Sequence, residues 1–554
     1  MSKKIILFIL TGIVILAAIL RLWQLGSIPP SPDWDEVALG YDAYSIIHTG
    51  RDEFGVFLPV VLRSFDDYKP ALYAYLAIPT VSFLGLNIYA VRLPSAVFGI
   101  ISVLAVFLLV EELFDGYKRK DLLALISALF LAISPWSLQF SRVAFEANGG
   151  DVLNLLAALF FIYGIKRSRL WLFLSAFLAG LDIYMYQSEK AFTPLFILML
   201  AIIYRKKLFS LSKKYLTAVV IFGLIIVMPM IFYIVTNREA LLRVTGTSIF
   251  NYQTEILKTQ VADIQRDYAR NDIIGSILDN RRVTYAKTII GGYLSHYDLN
   301  WLFITGDIER HHAPGMGLLY LFELPFILYG IYLLLFGDFD KKTKLVIFGW
   351  WLLAPVPAAI TTEVPHAVRT LNFLPTWQVL SALGLIGLTG LISSSKLSIF
   401  KFKLWKLVAL AYLIFMLFNF AYYLDQYFMQ LNYYDSAQWQ YGYKQAVAKV
   451  EQIGGKYSRI VVSDNQPLDK SYMFFLFYLK YSPSEYQTIG EKSSGGYAAH
   501  HAFSKFVFRP INWLKDSRLK NTLFVGSPNE IPKAAALKII YNPDKTPAIV
   551  IAGT

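Results

Sequence analysis

Residues 1–36 read MSKKIILFILTGIVILAAILRLWQLGSIPPSPDWDE, and this stretch decides the fold. After Met1-Ser2-Lys3-Lys4, residues 5–20 carry no charge, and Arg21-Leu22-Trp23-Gln24 follows. An apolar run approaching 20 residues is long enough to cross a bilayer. A signal peptide starts in the same way, but the small-x-small cleavage pattern is missing, so the run reads as an uncleaved first span. Directly after it, Pro32-Asp33-Trp34-Asp35-Glu36 sets three carboxylates at the membrane interface, where desolvating them is costly.

The rest of the 554-residue chain repeats the first pattern. Apolar residues make up 56%, aromatic residues 16% and charged residues only 16%, with a mean hydropathy of +0.47. Soluble domains carry about 25% charged residues. A soluble enzyme, a coiled coil and a disordered chain are therefore excluded. Spans are expected near 5–25, 91–113, 122–138, 151–165, 170–185, 191–204, 215–236, 314–336, 345–360, 371–392 and 406–424, eleven in all. Residues 70–86 are apolar enough for a short span, but an interfacial helix suits their tyrosines and the charge pattern better.

The net charge of +13 raises the question of nucleic acid, and topology answers it better. With a cytoplasmic N-terminus, the inner segments hold twenty Lys and Arg, in clusters such as Lys118-Arg119-Lys120, Arg205-Lys206-Lys207 and Lys396, Lys401, Lys403. The three short outer loops hold only Arg142, Lys190 and Arg369. This asymmetry is the positive-inside rule. Three large segments then lie outside: 26–90, 237–313 and the tail from about 425. The tail is polar and alternates a helix-like 436–453 with strand-like Arg459–Val462 and Thr522–Val525, which predicts a small extracytoplasmic α/β domain over 425–554, after a membrane module over 1–424. With no cysteine, disulfides, thiolate metal sites and a cysteine nucleophile are all excluded.

The residues able to carry chemistry fall on the outer side. The acidic run at 33–36 is either a solvated loop start or a general base or metal ligand at a cavity mouth. Lys69, in Asp66-Asp67-Tyr68-Lys69-Pro70-Ala71-Leu72-Tyr73, either snorkels or meets a lipid phosphate. Arg92 opens the second span. Arg142 and Glu146 are four apart, which on one helix makes an ion pair or one wall of a site. His366 and Arg369, in Glu363-Val364-Pro365-His366-Ala367-Val368-Arg369, would share a face, and an arginine there calls for an anion such as phosphate. His311-His312 invites a metal reading, yet adjacent loop histidines are commonly surface residues, so only His312 is kept, as a substrate contact. No Walker loop, dinucleotide fingerprint or nucleophile elbow is present. What is left is a carboxylate ringed by cations at one membrane face, able to deprotonate a hydroxyl and stabilise a departing phosphate.

The order of these motifs resembles the GT-C superfamily of glycosyltransferases, in particular its protein O-mannosyltransferase and lipid A aminoarabinose transferase group. The resemblance rests on Asp35-Glu36, on Tyr68-Lys69-Pro70-Ala71-Leu72-Tyr73 with Val91-Arg92-Leu93-Pro94, on Ser141-Arg142 with Glu146, and on Pro365-His366-Ala367-Val368-Arg369. Ala71 stands where that group usually has a second proline. The resemblance implies a polytopic membrane enzyme that takes a sugar from a polyprenyl-phosphate donor to a protein, lipid or glycan acceptor, with inversion. Asp35 would be the base and Glu36 would orient it or bind the acceptor. Lys69 and Arg369, assisted by His366, would hold the donor phosphate, and Arg142 and Glu146 would shape the site. No metal or other cofactor is expected, although a divalent ion is compatible with the acidic loop, and no nucleic acid partner is expected. A bacterial inner membrane is the expected location. The rival readings are a transporter or flippase of a lipid-linked glycan, for which Asp182 and Glu323 are the intramembrane charges to check, and a non-catalytic scaffold.

Overall fold

The computed structural model describes residues 1–65, 67–237, 246–250, 255–394, 404–489 and 501–554. Asp66 and the inner cations Lys396, Lys401 and Lys403 lie outside them. Each expected span contains a helix. The first nine helices are α1 (Lys3–Leu22), α2 (Trp34–Thr49), α3 (Leu72–Leu84), α4 (Ile88–Leu113), α5 (Lys120–Ile133), α6 (Pro135–Ser141), α7 (Glu146–Lys166), α8 (Trp171–Asp182) and α9 (Glu189–Ile203). Lys213–Thr236, Glu323–Phe336, Lys341–Leu353, Leu374–Ser394 and Leu404–Asp425 follow among the apolar ones.

Helix length does not by itself confirm the expected eleven spans. Among the described residues, six helices are long and apolar enough to cross a membrane, or seven if α5 and α6, bent by 56°, make one span. The helices at the other four positions, α8, α9, Glu323–Phe336 and Lys341–Leu353, have 12 to 15 residues, about 18–22 Å at 1.5 Å per residue. That is shorter than the hydrocarbon core. Helix α3, at 13 residues, is likewise too short to span, in line with the interfacial reading of 70–86. Three of the six long helices are mostly exposed along their most apolar windows, while the other three are 61–83% buried. Only 11% of the most apolar window of Lys213–Thr236 is buried, and Ile221, Leu224, Ile225, Phe232 and Val235 stand exposed along it. Apolar surface of that extent needs lipid, so the protein is an integral membrane protein.

The chain forms two compact units that interleave in sequence. The first comprises 1–13, 102–136 and 150–419. At its centre Leu374–Ser394 packs against Glu323–Phe336 and α5. Gly330 and Gly384 face the opposing backbone there, and a Cβ on either would run into the carbonyl oxygen of Leu380 or of Phe326. Close helix approach through small residues is how membrane helices gain packing energy without a hydrophobic drive. Gly384→Val is therefore expected to abolish the monodisperse peak of detergent-solubilised protein in size-exclusion chromatography, whereas a valine at the open Gly12 should leave it unchanged.

The second unit comprises 14–101, 137–149 and 420–554. A hairpin of β1 (Val61–Ser64) and β2 (Asp67–Pro70) pairs Leu62 with Lys69. The tail folds as a six-stranded sheet of β3 (Arg459–Val462), β4 (His501–Phe503), β5 (Phe506–Phe508), β6 (Thr522–Gly526), β7 (Ala536–Tyr541) and β8 (Pro547–Gly553). Its order is β4-β5-β3-β6-β8-β7, with β5, β3 and β6 parallel. The strand-like runs expected in the tail are thus β3 and β6. The expected helix at 436–453 starts only at Tyr443, because Gln440 at φ +46° and Gly442 at φ +110° break the chain after a short 3-10 turn.

The tail is not closed off at residue 424, as a separate domain would be. Helix Ser471–Leu479, with Tyr472 to Leu476 all within 1% exposure, packs against α2. At their junction a Cβ on Gly40 would stand 2.8 Å from the Phe477 ring. Gln487 also donates to Ser45 Oγ, Thr49 Oγ1 and Asp52 O at 2.9–3.0 Å. The loop and the tail share one core, so their compact unit is assembled from distant pieces of chain.

Candidate active site

The three carboxylates after α1 divide by role. Asp33 is the N-cap of α2: its Oδ1 accepts the Glu36 amide at 2.8 Å, and its own amide donates to Glu36 Oε2 at 3.2 Å. This reciprocal pair is a capping box. Glu36 also accepts Arg92 Nε and Nη2, both at 2.8 Å, and the Ala144 amide at 2.9 Å. Arg92 spends its remaining donors on the carbonyls of Leu25, Pro29 and Ser31 at 2.8–3.1 Å. Asp33 is 1% and Glu36 2% exposed. Asp35 points elsewhere. Its side chain is 28% exposed and pairs with Lys69, which hairpin β1–β2 holds at 8%. The structure thus joins two of the residues singled out by sequence, and of the three acids Asp35 is the most exposed.

Lys69 faces further acids. Asp42 lies seven residues after Asp35, on the same side of α2. Its Oδ1 accepts the Glu53 amide at 3.0 Å, and burial, followed by the charge of Asp52, pushes its carboxyl well above the usual range, with Lys69 opposing. Asp52 in turn accepts the amides of Phe54 and Val56 at 3.0 and 2.8 Å. The sequence analysis did not single out this group. The i, i+7 spacing of Asp35 and Asp42 was the available signal.

Arg142 and Glu146 do not form the expected helical pair, because the chain turns at 142–145 between α6 and α7. Arg142 is fully buried and donates to the carbonyls of Leu20, Trp23 and Ile28 at 2.6–3.1 Å, with Phe428 stacked 4.8 Å from its guanidinium. It satisfies carbonyls at the C-terminal end of α1, which need donors, and so holds the 20–28 segment. Glu146 starts α7 at 4% exposure, two residues before Asn148, which donates to Ser95 O and Oγ at 2.9 and 3.0 Å.

The other cationic site lies in the first unit. Arg369 donates to Thr361 Oγ1 at 2.7 Å and Thr362 O at 2.6 Å, with Glu363 3.7 Å away. It lines a largely apolar cavity of about 240 Å³ with Lys190, Gln187, Ser188, Thr247 and Ser248. His366 does not join it there. Its imidazole faces Asp307, 4.0 Å from Oδ2, and the His311 ring, 5.2 Å between centroids, because its amide donates to His296 Nε2 at 3.1 Å and fixes the turn. His312 is held within its own loop. Its two ring nitrogens meet the carbonyls of Ala313 and Asp307, both at 2.8 Å. The His311 ring bonds Asp307 Oδ2 at 2.7 Å. Burial holds His311 and His366 below the ordinary imidazole range and His296 down at about 4. Burial alone would raise Asp307, but the His311 bond, the nearby imidazoles and the Ala367 amide outweigh it and hold Asp307 at about 2. Among the described residues, Asp307, His311 and His366 are the group whose ligand atoms lie close enough together to hold a metal ion.

Residues 68–233, under a third of the chain, match a family model described as dolichyl-phosphate-mannose-protein mannosyltransferase. No curated protein sequence matches the chain. Among solved structures, ArnT from Cupriavidus metallidurans bound to undecaprenyl phosphate is similar at 13% identity, over 100% of this chain and 98% of that one, with a TM-score of 0.52. The oligosaccharyltransferase AglB from Archaeoglobus fulgidus, in complex with an inhibitory peptide and a dolichol-phosphate, is 13% identical over 86% of this chain, with a TM-score of 0.48. This chain spans 64% of the AglB length. The Pmt1–Pmt2 protein O-mannosyltransferase complex of S. cerevisiae, bound to the sugar donor, matches 43% of this chain at 17% identity and a TM-score of 0.32. The fold argument rests on ArnT. Both comparisons point to GT-C glycosyltransferases, as did the order of the motifs.

Proposed function

We propose that this chain, similar in fold to GT-C enzymes, is a membrane glycosyltransferase that moves a sugar from a polyprenyl-phosphate donor to a hydroxyl of a protein, lipid or glycan. The observation that carries the reading is Asp35, the partly exposed member of an otherwise locked acidic run, held against the buried Lys69. In the reaction the Asp35 carboxylate takes the acceptor's hydroxyl proton. The acceptor oxygen attacks the anomeric carbon from the face opposite the phosphate, the carbon–oxygen bond to phosphate breaks, and the polyprenyl phosphate leaves with the electron pair. Configuration at that carbon inverts. Lys69 neutralises Asp35 at rest. As Asp35 gains the proton, the lysine's charge is freed for the departing phosphate.

Arg369 is the proposed anchor of the donor phosphate. Its cavity joins two cations to apolar walls, which suits a phosphate attached to an isoprenoid tail. One charge-assisted hydrogen bond is worth about 1.5–3 kcal/mol, so Arg369→Ala is expected to weaken donor binding about ten- to a hundredfold. The check is equilibrium binding of a labelled polyprenyl-phosphate sugar to the protein in nanodiscs. Unchanged affinity would remove Arg369 from the donor site. The site is placed on the extracytoplasmic face of a cell membrane because the basic inner loops orient the chain that way.

A transporter or flippase of a lipid-linked glycan is the second reading. On its side stand Asp151, Asp182 and Glu189, buried in the first unit, with Asn154 donating to Glu189 at 2.7 Å and Asn372 at 2.9 Å. Intramembrane acids of this kind mark ion and substrate pathways in transporters. A transfer assay in liposomes with radiolabelled donors separates the two readings. Release of sugar from the lipid favours the enzyme, and movement of intact donor between leaflets favours the transporter.

A further inference from the structure

We propose that Asp307, His311 and His366 form a binding site for one divalent metal ion of the zinc class, which fastens the second outer loop to the turn that carries Arg369. The three residues come from two segments more than fifty positions apart, yet each offers a ligand atom within 4.8 Å of the others. Ligands bound to zinc at about 2.0–2.1 Å in a tetrahedron stand roughly 3.3 Å apart, so a small contraction of the group is all that binding requires.

A second observation points into the same space. His366 Nδ1 is buried without a hydrogen-bond partner, although its ring faces the Asp307 carboxylate and the His311 ring. A buried imidazole nitrogen in that state costs free energy unless something takes its lone pair or its proton. A metal ion would take the lone pair.

The donor set selects the metal. Two imidazoles and one carboxylate suit zinc and its neighbours, whereas magnesium and calcium prefer all-oxygen shells. The surrounding contacts fix the orientation of the ligands. The Ala367 amide donates to Asp307 Oδ2 at 2.7 Å, and the His366 amide to His296 at 3.1 Å. Supporting bonds of this type align metal ligands and raise affinity. The direct bond from His311 Nδ1 to Asp307 Oδ2 at 2.7 Å is the contact that the ion would replace.

Three protein ligands leave a fourth position for water or another oxygen donor. Arg369 is three residues beyond His366. The consequence for donor binding rests on the proposed function, while the metal site stands on its own geometry.

The test is elemental analysis of the full-length, detergent-purified protein after equilibration with micromolar zinc and removal of free metal, together with thermal unfolding with and without zinc. About one zinc per chain is expected, with a melting temperature raised by zinc and lowered again by chelator. His366→Ala and His311→Ala are expected to lose both effects. His312→Ala, in the same loop, should retain the metal, which controls for general loosening of that loop. Wild-type protein that takes up no zinc, or His366→Ala protein that takes up as much as wild type, would overturn the proposal. Because neither readout involves sugar transfer, the site and the proposed function can fail separately.

Discussion

Asp35→Asn is expected to lower sugar transfer by roughly a hundred- to ten-thousandfold, the usual contribution of a positioned general base. The amide keeps the size and most of the contacts of the carboxylate but cannot accept the acceptor's proton. Asp35 is also the most exposed member of the acidic run. Asp33 caps α2, and Glu36 is bound by Arg92 and two backbone amides. The substitution should therefore leave the unfolding temperature and donor binding close to those of wild type while transfer collapses. The measurement is turnover of radiolabelled donor by reconstituted protein, wild type beside mutant. Comparable rates would remove Asp35 from the chemistry. A large fall in melting temperature would instead assign it a structural role.

Arg92→Met is expected to produce the largest loss of stability of any single change in the second unit. The Arg92–Glu36 pair is almost fully buried, and Arg92 also serves three carbonyls of the segment leading into α2. Removing one partner of a buried pair costs about 3–5 kcal/mol, because the other charge is left without compensation. Lysine should not rescue it, since an ammonium cannot form the guanidinium's two-pronged bond to Glu36 while also reaching three carbonyls. The expected result is a melting temperature several degrees lower for both Arg92→Met and Arg92→Lys, with the double change Arg92→Met with Glu36→Gln recovering part of the loss. A loss confined to transfer, with unfolding unchanged, would show that the pair acts in the chemistry and not in the fold.

These two predictions turn on the adjacent acids Asp35 and Glu36. The residue pattern alone does not separate Asp33, Asp35 and Glu36, and only the family resemblance singled out Asp35 as the base. They diverge because Arg92 arrives from the start of α4, 56 positions after Glu36, and because the hairpin carries Lys69 to Asp35. His311 and His312 are adjacent, yet one turns to Asp307 Oδ2 and the other to backbone carbonyls of the same loop. Arg142 read as a site residue because a charge near a membrane face invites a ligand, whereas the carbonyls at the end of α1 already use it.

What the sequence determined by itself is the membrane character, the helix at each expected span and the strands β3 and β6. All of these follow from hydrophobicity and residue periodicity over a few turns, and such local free energies survive whatever the neighbours do. What only the tertiary structure decided is how deeply each of several similar polar groups is buried and which partner it meets. It also decided that the tail shares a core with residues of α2. Burying a charge is costly until a partner arrives. For Glu36, Arg92, Arg142 and the Asp35–Lys69 pair the partners come from dozens to more than a hundred residues away, so their surroundings are set by long-range packing that local pattern does not encode.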